Sequence, residues 1–138
     1  MRRCQRPEQA LHRAAVAYLR LLENLGELVF FHPANGGVRS RTEAAIFKGL
    51  GVRAGVPDLV VLFPGARCAF IELKSDVRRL SAAQLGFKNH AEMFGFPYAT
   101  CRDLNEVERF VRKLIASSVR VERYVRDTGT NGTVQRWP

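Results

Sequence analysis

Apolar residues recur along the chain with two spacings, and the change from one to the other predicts an ordered set of helices and strands. From Pro7, the positions Leu11, Ala14, Ala15, Tyr18, Leu19 and Leu22 follow the 3.6-residue period of an amphipathic helix. Pro7 suits the first helical position, where an N–H is not needed, and Gly26 supplies a stop. Leu28-Val-Phe-Phe-His32 is a short apolar run of strand type, and Pro33-Ala-Asn-Gly-Gly37 has the chemistry of a turn. A second helix is predicted over Arg41 to Leu50, with Ala44, Ala45, Phe47, Lys48 and Leu50, ending at Gly51. Two strands follow, Asp58 to Phe63 and Arg67 to Lys74. Pro64-Gly65-Ala66 lies between them, and Pro-Gly between apolar runs predicts a hairpin. Ser81, with Gln84 three residues on, forms a capping box for a helix to Gly95. Pro97 to Arg102 reads as a further strand. Asp103 and Glu106 form another capping box, opening a helix through about Ala116. Leu104, Val107, Phe110, Val111 and Leu114 supply its buried face.

The resulting order, α-β-α-β-β-α-β-α, is that of an α/β domain with a mixed central sheet flanked by helices. With 138 residues the chain fits one domain, expected over 1–118. From about Val119 the periodicity fades, and 119–138 reads as a C-terminal extension or tail. There are no internal repeats. A hydrophobic fraction of 46% favours a globular chain over a disordered one. No stretch of about 18 apolar residues offers a membrane span. Met1-Arg2-Arg3-Cys4-Gln5-Arg6 is basic but leads into no apolar signal region, so the chain is expected to stay in the compartment where it is made. Cys4, Cys68 and Cys101 are too scattered for a disulfide framework or zinc-ligand spacing, and His12, His32 and His90 form no zinc motif. Reduced thiols fit a cytoplasm.

Charge narrows the choice of partner. The chain has 22 Lys and Arg against 13 Asp and Glu, a formal net charge of +9. Of the 22, 18 are Arg, whose guanidinium matches phosphate in a bidentate fork. A field of this sign attracts polyanions, nucleic acid first. An anionic membrane surface is a weaker reading, since no helix is an obvious interfacial anchor.

Strand parity then singles out a chemical group. Alternate residues of a strand share a face, so Glu72 and Lys74 point the same way as Phe70, while Ile71 and Leu73 face the core. A carboxylate and an ammonium on one face of an apolar strand either pair or line a cleft, because buried singly they are costly. Asp58 has the parity of Glu72. A three-residue loop at Pro64-Gly65-Ala66 sets Phe63 against Arg67 and Asp58 directly across from Glu72. A two-residue loop at Pro64-Gly65 puts the two carboxylates on opposite faces. Adjacent carboxylates repel unless a cation lies between them, and their oxygens suit Mg²⁺ or Mn²⁺. Such an ion polarises a phosphoryl oxygen and activates water. Lys74 would reach the attacking water or the charge developing on phosphorus. A set of this kind hydrolyses a phosphodiester.

Pro57-Asp58, thirteen intervening residues and then Glu72-Leu73-Lys74 resemble the PD-(D/E)XK nuclease signature. E-x-K alone occurs often by chance; the surroundings make it specific. Asn35-Gly36-Gly37-x-Arg39, Gly49-x-Gly51-Val52-Arg53-Ala54-Gly55-Val56-Pro57-Asp58-Leu59, Ile71-Glu72-Leu73-Lys74 and Leu80-Ser81-x-x-Gln84 appear in order. That series resembles the VRR-NUC (virus-type replication-repair nuclease) family from about Glu8 to Lys113. The resemblance implies a restriction-endonuclease-like core. It implies that Asp58 and Glu72 bind the metal with the backbone carbonyl of Leu73, and that Lys74 is the catalytic lysine. Gln84 matches a helix glutamine facing the site, and Glu8 an acidic residue near the metal. It further implies a metal-dependent DNA nuclease. Small single-domain members, often phage or bacterial, resemble Holliday junction resolvases and act as homodimers. The expectation is therefore a structure-specific endonuclease of branched DNA in a bacterial or phage-infected cell, without a small-molecule cofactor. The alternatives are a flap-trimming or restriction-like nuclease on the same fold, and a catalytically silent DNA-binding module.

Several of these residues have a plain structural reading beside the functional one. Gln84 serves as a cap, as a catalytic helper, or as both through different atoms. Glu8 also suits the positive end of a helix dipole. Asn35, Gly36 and Gly37 make a turn or let backbone N–H groups approach a phosphate, with Arg39 and Arg41 following. Arg53 contacts DNA or braces the loop before Asp58. Arg78 and Arg79 are solvated loop charge or phosphate contacts, and Ser81 counts with Arg78 among the expected DNA contacts. His32 and His90 read as ordinary residues rather than ligands.

Overall fold

The computed structural model describes residues 7–33, 40–75 and 77–127, with side chains as far as 117. Eight elements follow the expected order: α1 (Pro7–Asn24), β1 (Val29–Phe31), α2 (Arg41–Gly49), β2 (Leu59–Phe63), β3 (Arg67–Leu73), α3 (Ala82–Met93), β4 (Tyr98–Cys101) and α4 (Leu104–Asp127). The strands form one mixed sheet in the order β1-β2-β3-β4. β1 and β2 are antiparallel, as are β2 and β3, while β3 and β4 run parallel. The parallel step is made through α3, the usual crossover for such a pair.

Strand alternation divides the sheet into two unlike faces. Leu59, Val61 and Phe63 of β2 and Ala69, Ile71 and Leu73 of β3 join Ala15 and Leu19 of α1 and Val107 and Val111 of α4 in the main core. The other face carries Phe70, Glu72 and Tyr98. There the Phe70 ring meets Phe87 of α3 edge-on at 5.2 Å and Phe96 at 5.9 Å. These edge-to-face contacts seat α3 over the same face that carries Glu72. No helix among the described residues is long and apolar enough to cross a membrane.

The hairpin has the odd loop. Phe63 pairs with Arg67, leaving Pro64, Gly65 and Ala66 between the strands. Gly65 and Ala66 both have positive φ, 79° and 57°. Arg67 braces the loop: its Nε donates to the Pro64 carbonyl at 3.2 Å, and its Nη1 reaches the Leu114 carbonyl and the Ser117 hydroxyl, each at 2.9 Å.

Three local details differ from expectation. α4 continues to Asp127 rather than ending near Ala116. No Gly or Pro interrupts the chain between Pro97 and Gly129, so nothing local stops the helix. The cap at its start is half of a capping box. Asp103 Oδ1 accepts the Glu106 N–H at 2.9 Å, but the Glu106 carboxylate takes the Arg102 N–H, at 2.7 Å, in place of that of Asp103. α2 begins with a full capping box from Ser40 and Glu43 that the sequence reading passed over. None of its residues is buried, so its apolar positions contribute no side chain to the core.

Gly55 sets the distance between the loop before β2 and the start of α3. Its φ is +78°, and a Cβ there would stand 2.3 Å from the carbonyl carbon and oxygen of Ala83 and 2.7 Å from Gln84 N. Backbone on both sides leaves no flexible group to move aside. Gly55→Ala combines left-handed strain with a backbone clash and is expected to cost about 2–4 kcal/mol in urea denaturation. Gly86→Ala, at an open position within α3, is expected to leave stability unchanged or raise it by up to about 1 kcal/mol. Equal effects would show that the close approach at Gly55 does not matter.

Candidate active site

Asp58 follows the buried Pro57 at the entrance to β2. Its side-chain Oδ2 accepts the Leu73 N–H at 2.8 Å, which fixes the carboxylate against the end of β3. The last ladder pair is Leu59 with Ile71, so one step further along the same register Asp58 stands opposite Glu72. Across β3 on the other side, Glu72 pairs with Thr100 of β4. The Lys74 N–H donates to the Cys101 carbonyl at 2.9 Å and holds the chain straight past the strand end.

Glu72 is the buried charge among the described residues, with 2% of its surface exposed. Its Oε1 takes two donors, the Lys74 ammonium at 3.1 Å and the Gln84 amide Nε2 at short hydrogen-bond range. Its Oε2 is buried and meets no hydrogen-bond partner among the described residues; the same holds for the Thr100 hydroxyl and the Tyr98 hydroxyl. Burial pushes the Glu72 carboxyl above its ordinary range, and the neighbouring charge of Asp58 pushes it further, against the opposing pull of Lys74. A buried oxygen without a donor, beside a second carboxylate, is a position that a divalent cation satisfies. The residues present therefore fit a hard metal ion held by oxygen ligands.

Gln84 serves the helix and the carboxylate at once. Ser81 Oγ accepts the Gln84 N–H at 3.2 Å, Gln84 Oε1 accepts the Ser81 N–H at 2.9 Å, and Gln84 Nε2 is left to donate to Glu72. The capping box thus aims the amide at the site. Ser81, expected among DNA contacts, has its hydroxyl oxygen engaged in this cap.

The remaining expected residues fall in different places. Glu8 lies in the first turn of α1, one turn before His12, and its charge acts on that imidazole. Arg41 and Arg53 are exposed at the start of α2 and in the loop after it. Arg78 is exposed between β3 and α3. Asn35, Gly36, Gly37 and Arg39 lie outside the described residues. The free thiols of Cys68 and Cys101 stay apart from the site chemistry: burial raises both, Cys101 to about 12.

One group escaped the sequence reading. His12 of α1 and His32, just beyond β1, meet beside Asp58. Their rings touch edge-to-face at 4.7 Å, and a His32 ring nitrogen, Nδ1, binds the backbone carbonyl of Asp58. Burial lowers the His12 pKa, with His32 acting in the same direction and Asp58 and Glu8 opposing it. The helical spacing of Glu8 and His12, four residues on one face, was the available signal; nothing local links either to His32. His90, by contrast, bonds the Gly86 carbonyl at 2.8 Å within its own helix.

A mixed sheet flanked by helices, with facing carboxylates and a lysine at one strand end, defines a nuclease-type α/β domain. The chain belongs to the VRR-NUC family: the family model described as the VRR-NUC domain matches residues 7–103, from the start of α1 to the foot of α4. A solved structure described as "VRR_NUC domain" is similar in fold, with a TM-score of 0.56 and 16% identity over 77% of this chain and 95% of that one. Its likeness is consistent with the PD-(D/E)XK core expected above. No curated protein matches the chain.

The raised Glu72 pKa has a stability consequence of definite sign. Folded, Glu72 keeps its proton at pH values where the unfolded chain has already released it. Its contribution to stability is therefore present in acid and lost as pH rises from the ordinary carboxylate range through the raised value. In metal-free protein, the difference in urea-derived stability between wild type and Glu72→Gln is expected to move against wild type over that interval. A difference that stays flat with pH would mean that Glu72 titrates normally.

Proposed function

We propose that the chain is a divalent-metal-dependent, structure-specific DNA endonuclease that hydrolyses phosphodiester bonds in branched DNA such as Holliday junctions. The observation that carries the reading is the register of β2 and β3. It sets Asp58 opposite Glu72, with Lys74 on the same face and one buried Glu72 oxygen lacking a donor. Asp58 and Glu72, with the Leu73 carbonyl and with Glu8 as an outer ligand, would hold Mg²⁺ or Mn²⁺. When bound, the ion supplies Lewis acidity toward the phosphodiester and toward water.

The chain's own groups prepare that chemistry. The Leu73 N–H and the Gln84 amide hold the two carboxylates in fixed orientations, so that little reorganisation remains when substrate arrives. Lys74, paired with Glu72, positions the attacking water and stabilises negative charge building on the phosphoryl oxygens. Water oxygen bonds to phosphorus, the ester P–O bond breaks, and the products are a phosphate-ended strand and a hydroxyl-ended strand. The net charge of +9 draws the polyanion toward the site. Arg41, Arg53, Arg78 and the 35–39 turn are the proposed backbone contacts. A homodimer, with two sites related by a two-fold axis, would address two strands of one junction. The thiols and the charge fit a cytoplasmic setting, in a bacterium or a phage-infected cell.

The test is cleavage of a four-way junction, a flap and a plain duplex with Mg²⁺ or Mn²⁺. Wild type is expected to cut the junction in preference to the duplex and to stop when the metal is chelated. Asp58→Asn should abolish cleavage, and Lys74→Ala should slow it about 100- to 1000-fold while DNA binding persists. Preferential cutting of the flap would replace the junction reading. Binding without cutting, with either metal, would replace the enzyme reading with that of a DNA-binding module.

A further inference from the structure

We infer that His12, His32 and Asp58 form a second metal site, of mixed nitrogen and oxygen donors, suited to Zn²⁺ and like transition ions rather than to Mg²⁺. The site goes beyond the carboxylate pair proposed above and shares only Asp58 with it.

Three separate segments bring the donors together: α1 for His12, the residue after β1 for His32, and the entrance to β2 for Asp58. One ligand atom from each lies within 4.8 Å of the other two. Donors around a tetrahedral ion at about 2.1 Å stand roughly 3.4 Å apart, so a shift of about 1 Å in each side chain closes the set. The perpendicular rings, 4.7 Å between centroids, have the separation of about 5 Å that two imidazoles adopt on one ion.

The hydrogen bond of His32 is the second, independent pointer. A carbonyl oxygen only accepts, so the ring nitrogen facing the Asp58 carbonyl, Nδ1, carries hydrogen. In the neutral ring Nε2 then holds the lone pair. This is the tautomer in which an imidazole binds a metal: one nitrogen anchored to a backbone oxygen, the other holding the lone pair. Asp58 is anchored as well, since its Oδ2 accepts the Leu73 N–H and the carboxylate is fixed against the end of β3. Two imidazoles favour Zn²⁺, Co²⁺ or Ni²⁺ over Mg²⁺, which takes oxygen ligands and keeps its waters. The two neighbouring sites therefore differ in the kind of ion they select, with Asp58 between them.

The experiment is a Zn²⁺ titration of the metal-free full chain, followed by ¹⁵N NMR of the histidine rings and by calorimetry. Binding at this site shifts Nε2 of His32 and one ring nitrogen of His12, and leaves His90 unmoved. His12→Ala and His32→Ala each weaken the Zn²⁺ affinity at least about tenfold, while His90→Ala does not. Glu72→Gln keeps the imidazole shifts, because it removes only the carboxylate pair. The readout is binding, so loss of DNA cleavage in any variant leaves the answer intact. Should either alanine variant misfold, the wild-type ring shifts decide alone. Zn²⁺ that fails to bind, that binds without moving His12 and His32, or that moves His90 equally overturns the inference.

Discussion

Joining β2 to β3 by three residues rather than two sets Phe63 opposite Arg67, and every later pair of the two strands inherits that parity. The consequence is opposite on the two faces. Leu59, Val61 and Phe63 of β2 and Ala69, Ile71 and Leu73 of β3 enter the core between the sheet, α1 and α4. Phe70 and Glu72 of β3 take the opposite face and meet Phe87 and Gln84 of α3, with Asp58 across from Glu72. A one-residue slip would bury the carboxylates in an apolar layer and expose Ile71 and Leu73, which the hydrophobic effect opposes strongly. The core therefore enforces the register, and the register enforces the site. Arg67 adds a brace by tying the loop to the α4 backbone.

Glu72 is tolerated in its buried position because its surroundings compensate for the loss of water. Lys74 and Gln84 both reach Oε1, while Oε2 stays without a donor. A buried oxygen without a donor is costly, and burial together with the Asp58 charge raises the carboxyl pKa. That oxygen is also the feature on which the proposed cation site rests. Gly55 enters the same balance from outside. Its backbone packs against Ala83 and Gln84, so the loop that delivers Asp58 and the helix that delivers Gln84 are positioned against each other.

The order of elements was readable because helices and strands here have clean periods and punctuated ends. Pro7, Gly26, Pro64-Gly65 and Ser81 mark boundaries through local backbone chemistry, which is what a sequence displays directly. The parity of Asp58, Glu72 and Lys74 was readable for the same reason. What was not readable depends on contacts between distant segments. The meeting of His12 with His32 requires knowing how α1 crosses the end of β1. Glu106 takes the backbone N–H of Arg102 in place of that of Asp103, a choice that spacing does not encode. The length of α4 was misjudged from fading amphipathicity, although absence of a helix breaker was the stronger local signal. α2 shows the reverse: its apolar positions form a pattern, yet none is buried, since pattern alone does not supply a partner.

Gln84 has a further implication for which side chains its position can accept. A glutamate there would complete the same capping box, so helix formation alone does not distinguish the two. Facing Glu72, however, a glutamate would set oxygen against oxygen where the amide now sets nitrogen against oxygen. The two residues differ at that point by a single atom, in its capacity to donate hydrogen. The fold therefore contains a position where helix start and buried charge together discriminate between near-isosteric side chains, and only the neutral one satisfies both.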